Sequence, residues 1–150
     1  MRFLLAASLL CCTSGIVRAA NAPNGENALA KLNGNWEIKS IERDPPEKAG
    51  EGTGIRCTID NGKLTVFLPG NETPAGVATL KIDATKKPNT ISIKPTGEQD
   101  SVQAIIQQDG DELKVCWNST NAKRAPAEFS AKPGSGQTLV TLKRKKVAAK

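Results

Sequence analysis

Histidine and tyrosine are absent from this chain of 150 residues, and methionine occurs once. Without imidazole there can be no Ser-His-Asp or Cys-His nucleophile pair, no histidine-ligated zinc and no imidazole acid–base chemistry. Carboxylates, lysines, and serine or thiol groups acting without imidazole are all that remains for catalysis. Aromatics are scarce too, with two Trp and three Phe. Single-stranded nucleic-acid sites stack bases on rings beside basic residues, and no such stripe is present, so no nucleic-acid partner is expected. No apolar run approaches the roughly 20 residues of a membrane-spanning helix.

What is there begins with a leader. Met1-Arg2 precedes a short apolar run over residues 3–10, and Val17-Arg18-Ala19 fits a small-x-Ala cleavage signal. The sequence therefore predicts a signal peptide over residues 1–19 and a periplasmic or extracellular protein. Cys11 and Cys12 offer a lipoprotein alternative, but Leu10 stands where lipidation signals carry Gly, Ala or Ser. Residues 20–29 read as a polar leader, 30–145 as one domain and 146–150 as a basic tail. A chain of that size buries about two-thirds of its unfolded surface, enough for a real core. The formal charge of +6 is concentrated at the ends: Arg2 and Arg18 leave with the signal, and Lys143, Arg144, Lys145, Lys146 and Lys150 crowd the C-terminus. The body between them is close to neutral, so the basic end reads as a solvated tail.

Between a helical turn at residues 26–32 and the tail, short alternating segments are separated by Gly, Pro and Asn. That pattern predicts strands at 36–42, 54–60, 63–68, 76–83, 90–94, 101–108, 111–118 and 137–145. Eight antiparallel strands close into an up-and-down barrel whose interior suits side chains or one small ligand. Asn61-Gly62 is a two-residue hairpin signal that pairs Ile59 with Leu64, Cys57 with Val66 and Ile55 with Leu68 on one face. Arg56 then meets Phe67 on the other. Asp109-Gly110, taken as the centre of a second hairpin, pairs Ile106 with Leu113, Ala104 with Val115 and Val102 with Trp117. Gln103, Ile105, Lys114 and Cys116 fall on the opposite face.

Gly34-x-Trp36 at the start and Arg144 at the end form a bracket. A Trp opening the first strand can plug a barrel floor while a guanidinium from the last strand packs across it. Gly34, Trp36 and Arg144 are thus expected to close one end. The inward faces of both hairpins supply the candidate lumen: Ile55, Cys57, Ile59, Leu64, Val66, Val115 and Trp117. Neither a catalytic residue nor a metal or cofactor site is expected. Asp109, Asp111 and Glu112 resemble a carboxylate cluster but are ordinary turn residues without calcium-loop spacing. Cys57 and Cys116 would ordinarily suggest a disulfide in an exported protein. The hairpin registers set them on opposite sides of the wall, which favours two small buried thiols.

The chain resembles lipocalin-like (calycin) barrels through Leu32-Asn33-Gly34-Asn35-Trp36 and Leu142-Lys143-Arg144. It also resembles a small lipocalin-like domain of unknown function abundant in planctomycete bacteria. The marks are Lys86-Lys87-Pro88-Asn89-Thr90-Ile91, Asp109-Gly110-Asp111-Glu112-Leu113-Lys114-Val115-Cys116 and Pro126-Ala127-Glu128-Phe129. This resemblance spans residues 30–145 and implies a fold and export, with no reaction, substrate or partner. The expected function is that of a monomeric binding module for a small apolar or amphipathic ligand in the lumen. The alternative is a packed barrel that meets a protein or envelope polymer through loops 43–53 and 122–136. Enzymatic carboxylate or lysine chemistry is the third reading.

Overall fold

The protein's structure, a computed structural model, describes residues 25–46, 52 and 54–146. The expected signal peptide, leader residues 20–24, most of loop 43–53 and the tail from 147 lie outside the described residues.

A helix, α1 (Gly25–Leu32), precedes eight strands: β1 (Gly34–Arg43), β2 (Arg56–Asp60), β3 (Lys63–Phe67), β4 (Gly76–Asp83), β5 (Asn89–Pro95), β6 (Val102–Asp109), β7 (Glu112–Asn118) and β8 (Gln137–Arg144). They form one closed barrel in sequence order, each strand antiparallel to the next and β8 returning to β1. Full closure leaves no sheet edge, and strict alternation puts every second side chain inside. The inward positions are the aliphatic ones, and Trp36, Ile59, Leu80, Ile91, Ala104, Ile106, Leu113, Val140 and Leu142 pack into a single core.

Asn61 and Gly62 turn the β2–β3 hairpin with φ of 47° and 80°, the double positive φ of a type I′ turn. The ladder pairs Ile59 with Leu64, Cys57 with Val66 and Arg56 with Phe67, and the Arg56 guanidinium lies 5.6 Å from the Phe67 ring on the outer face. The expected Ile55–Leu68 pair lies beyond the ends of the two strands. Ile55 reaches the lumen, but Pro69 and Gly70 turn the chain away after Phe67, and Leu68 is left 48% exposed.

The second hairpin corrects its expected register. Its two central residues are Gly110 and Asp111, closed by Asp109 opposite Glu112. Only Gly110 has positive φ, at 57°, the glycine-first arrangement of a type II′ turn. Moving the turn centre by one residue shifts each partner by two. Ile106 therefore meets Val115 and Ala104 meets Trp117. A two-residue shift preserves the faces, so the inward set survives.

A β-bulge interrupts β1 between Ile38 and Ser40. Trp36 and Ile38 point inward before it. The extra residue, Lys39, switches the parity, so Ile41 opposite Val140 and Arg43 opposite Thr138 point inward after it. Without the bulge Ile41 would face solvent.

The long connection between β7 and β8 lies over the outer wall. Beneath it Ile105 and Cys116 are buried on the outward face, with Pro126 and Ser130 buried in the loop itself. The Cys116 thiol points at the Ser130 carbonyl at 3.6 Å. Those two outward apolar residues, which alternation alone leaves facing water, thus find a cover.

Candidate ligand-binding lumen

One end of the barrel is sealed. Trp36 is 1% exposed, and the Arg144 guanidinium lies 4.2 Å from its ring centroid. The same guanidinium donates to the Lys31 carbonyl at 2.7 Å and to that of Asn33, and Trp36 Nε1 donates to the Leu32 carbonyl at 2.8 Å. Carbonyls at the C-terminus of a helix have no partner within it. The floor residues supply those partners, and they fasten α1 across the barrel end with Leu32 in the core and Leu29 packed against it.

Above that floor is a cavity of about 310 Å³, at the lower end of the volumes that hold small molecules. All seven residues named from the hairpin faces line it: Ile55, Cys57, Ile59, Leu64, Val66, Val115 and Trp117. The sequence reading missed the contribution of the other strands, among them Ile38, Ile41, Leu80, Ile91, Ile93 and Val140. Period-two alternation in those segments was a usable signal for most of them. For Ile41 it was misleading, because the bulge had to be known first. Burial pushes the Cys57 thiol up to about 11, so it stays protonated and unreactive near neutral pH.

Arg43 is the one charged side chain among the described residues of that lining. It also borders a second cavity of about 300 Å³ together with Asp44, Pro45, Trp117, Ser119 and Thr138. Arg43, Thr138 and Trp117 are successive cross-strand neighbours on β1, β8 and β7. They form part of a collar at the end opposite Trp36. Within it the Ser119 and Thr138 hydroxyls share a 2.7 Å hydrogen bond, and Asp44 Oδ2 accepts from the Gly136 amide at 2.7 Å.

The described cysteines and the acidic turn residues are structural. Both described cysteines are free, Cys57 inside the wall and Cys116 under the loop outside it. Asp111 faces Arg144 at 3.7 Å and Lys146 at 3.9 Å. Glu112 faces Lys39 and Lys114, which hold its carboxyl below the usual range. No group of three or more potential metal ligands gathers among the described residues, and no helix among them is long and apolar enough to cross a membrane.

Fold and site together define an up-and-down barrel with one sealed end, an apolar lumen and a polar collar. Comparison with known proteins finds no matching family model, no similar curated protein and no similar solved structure.

Proposed function

We propose that this chain is an exported, monomeric binding protein of lipocalin-like type, which holds a small apolar or amphipathic molecule in its lumen. The observation that carries this reading is the cavity of about 310 Å³ walled by aliphatic side chains and Trp117. Its described lining contains no carboxylate and no lysine, and its one thiol is held protonated. Those are the groups that enzymatic chemistry without histidine would draw on. Apolar surface of this kind favours a ligand that leaves water, at about 25 cal/mol per Å² buried. Export rests on the leader at residues 1–19, and the lipocalin-like assignment on the motifs around Trp36 and Arg144.

The test is titration of the mature chain with N-phenyl-1-naphthylamine, a neutral probe that fluoresces in apolar surroundings. Saturable binding of one probe per chain is expected. Val115→Phe, which projects a ring into the lumen, should abolish it while leaving the circular dichroism spectrum unchanged. Non-saturable binding by the folded wild type, or full binding by the folded variant, would place the probe elsewhere and defeat the reading.

A further inference from the structure

We infer that the closed end carries a second binding site, beside α1, for a phosphate monoester on a small hydroxylated carbon frame. The site lies outside the lumen and stands whether or not the lumen holds a guest.

The first observation is where the aliphatic pattern stops. α1 packs on β4 and β2, so it covers only part of the barrel end. On the side of β5 and β6 the inward series runs on past the core. In β5 it goes from Ile93 and Ile91 to Asn89, and in β6 from Ala104 and Ile106 to Gln108. Two carboxamides thus take inward positions at the end of the wall. Between them and α1 lies a crevice of about 330 Å³, with Asn27, Lys31, Lys87, Asn89 and Gln108 in its lining. Leu32, Ile82 and Ile106 supply its apolar part. Leu32 and Ile106 also border the lumen and are 2% and 5% exposed, so they form a partition between the two spaces.

The second observation is charge. Asn27 and Lys31 stand one turn apart on the same face of α1, and Lys87 comes from the β4–β5 connection. The lining holds these two lysines and no carboxylate. Among the described residues neither ammonium has an ion-pair partner. Asp83, the acid nearest to Lys87 in the sequence, is engaged by Thr85 and Lys86. A phosphate monoester carries close to two negative charges at neutral pH and so matches the pair of lysines. A monocarboxylate would answer only one of them.

The third observation is the remaining chemistry of the lining. Carboxamides donate and accept, which suits hydroxyl groups on the ligand. Gln108 gives its amide hydrogens to the Lys31 and Gly110 carbonyls, which directs its oxygen to act as an acceptor. The apolar part can hold the carbon frame. At about 30 Å³ for each water-sized group, a space of about 330 Å³ takes roughly eleven such groups. That is the scale of a three-carbon polyol phosphate.

Calorimetric titration of the mature chain at low ionic strength with glycerol 3-phosphate, glycerol and inorganic phosphate tests the site. Glycerol 3-phosphate should saturate one site per chain and bind about tenfold or more tightly than glycerol. Inorganic phosphate, which lacks the frame, should fall between them. Lys31→Gln and Lys87→Gln should each weaken glycerol 3-phosphate about fivefold, with N-phenyl-1-naphthylamine binding unchanged. Lys31→Gln keeps the backbone carbonyl that Arg144 holds, and the wild-type ranking needs no variant at all. Glycerol binding as tightly as its phosphate would overturn the inference. Inorganic phosphate binding as tightly as the ester would overturn it too, since the site would then read charge alone. So would failure of all three ligands to bind, or an undiminished affinity in both folded variants.

Discussion

A side chain at position 34 would stand with its Cβ 2.6 Å from Nη1 of Arg144. Gly34 also has φ of +136°, a conformation that L-residues rarely adopt. Both facts make this glycine part of the floor. Gly34→Ala is expected to destabilise the fold by about 1–3 kcal/mol, read as a lower urea midpoint with unchanged slope. A variant as stable as the wild type would mean that the guanidinium has room to move.

Arg144 joins three parts of the closed end: the Trp36 ring, the Lys31 and Asn33 carbonyls, and Asp111. Arg144→Met keeps much of the apolar stem and loses the rest. The expected loss is about 2–3 kcal/mol, from one cation–π contact and two hydrogen bonds. The loosened helix should let solvent quench Trp36, seen as increased iodide quenching at low denaturant. Unchanged quenching would show that α1 is held by Leu29 and Leu32 alone.

Lys39 matters by its presence rather than its side chain. Among the described residues its ammonium meets Glu112 alone, at 3.4 Å, and both groups are exposed, a pair worth about 0–1 kcal/mol. Lys39→Ala should therefore be nearly neutral. Deleting Lys39 should cost several times more, because it sends Ile41 and Arg43 to the outer face. Paired thermal melts decide, and a deletion as mild as the substitution would mean that the chain repairs the parity elsewhere.

Burial raises the Cys57 thiol from 9.0 to about 11. The folded chain thus keeps a proton that the unfolded chain sheds. The resulting stabilisation is complete below pH 9 and is lost as pH rises towards 11. Denaturation curves at pH 8 and pH 11 should show the wild type losing on the order of 2 kcal/mol more than Cys57→Ala. Parallel losses would refute the assignment. In native protein Cys57 and Cys116 should resist iodoacetamide near neutral pH, and both should react in denaturant without any reductant.

The barrel was legible because its signals are local and repeated. Asn61-Gly62 fixes a turn, and the residues on either side alternate in agreement with each other. The Gly34, Trp36 and Arg144 bracket was legible for a different reason, since a Trp and an Arg at the two ends of a closed sheet become neighbours. Two features escaped. At Asp109-Gly110-Asp111 the chemistry of the three residues permits the glycine either first or second in the turn, and it sits first. The bulge at Lys39 was invisible to period-two reasoning, although Ile38 and Ile41 standing three apart are its trace. Arg43 escapes with it, because Pro45 and Pro46 just beyond mark position 43 as the start of a loop. Burial of Cys116 and Ile105 on the outer face depends on a distant loop, which no window around those residues reveals.

The same bulge has a mechanical side. Among the described residues the β1–β2 ladder covers only Gly34–Glu37 against Arg56–Ile59, with one more bond from the Ile38 amide to the Ile55 carbonyl at 3.0 Å. Beyond that point the described pairing of β1 runs along β8 to Arg43–Thr138, while β7 and β8 stay laced up to the Asn118–Gln137 pair. Among the described residues the hydrogen-bonded ladder between β1 and β2 is thus shorter than the one between β7 and β8. A shorter ladder opens more readily, so the amides of β2 should exchange with deuterium well before those of β7.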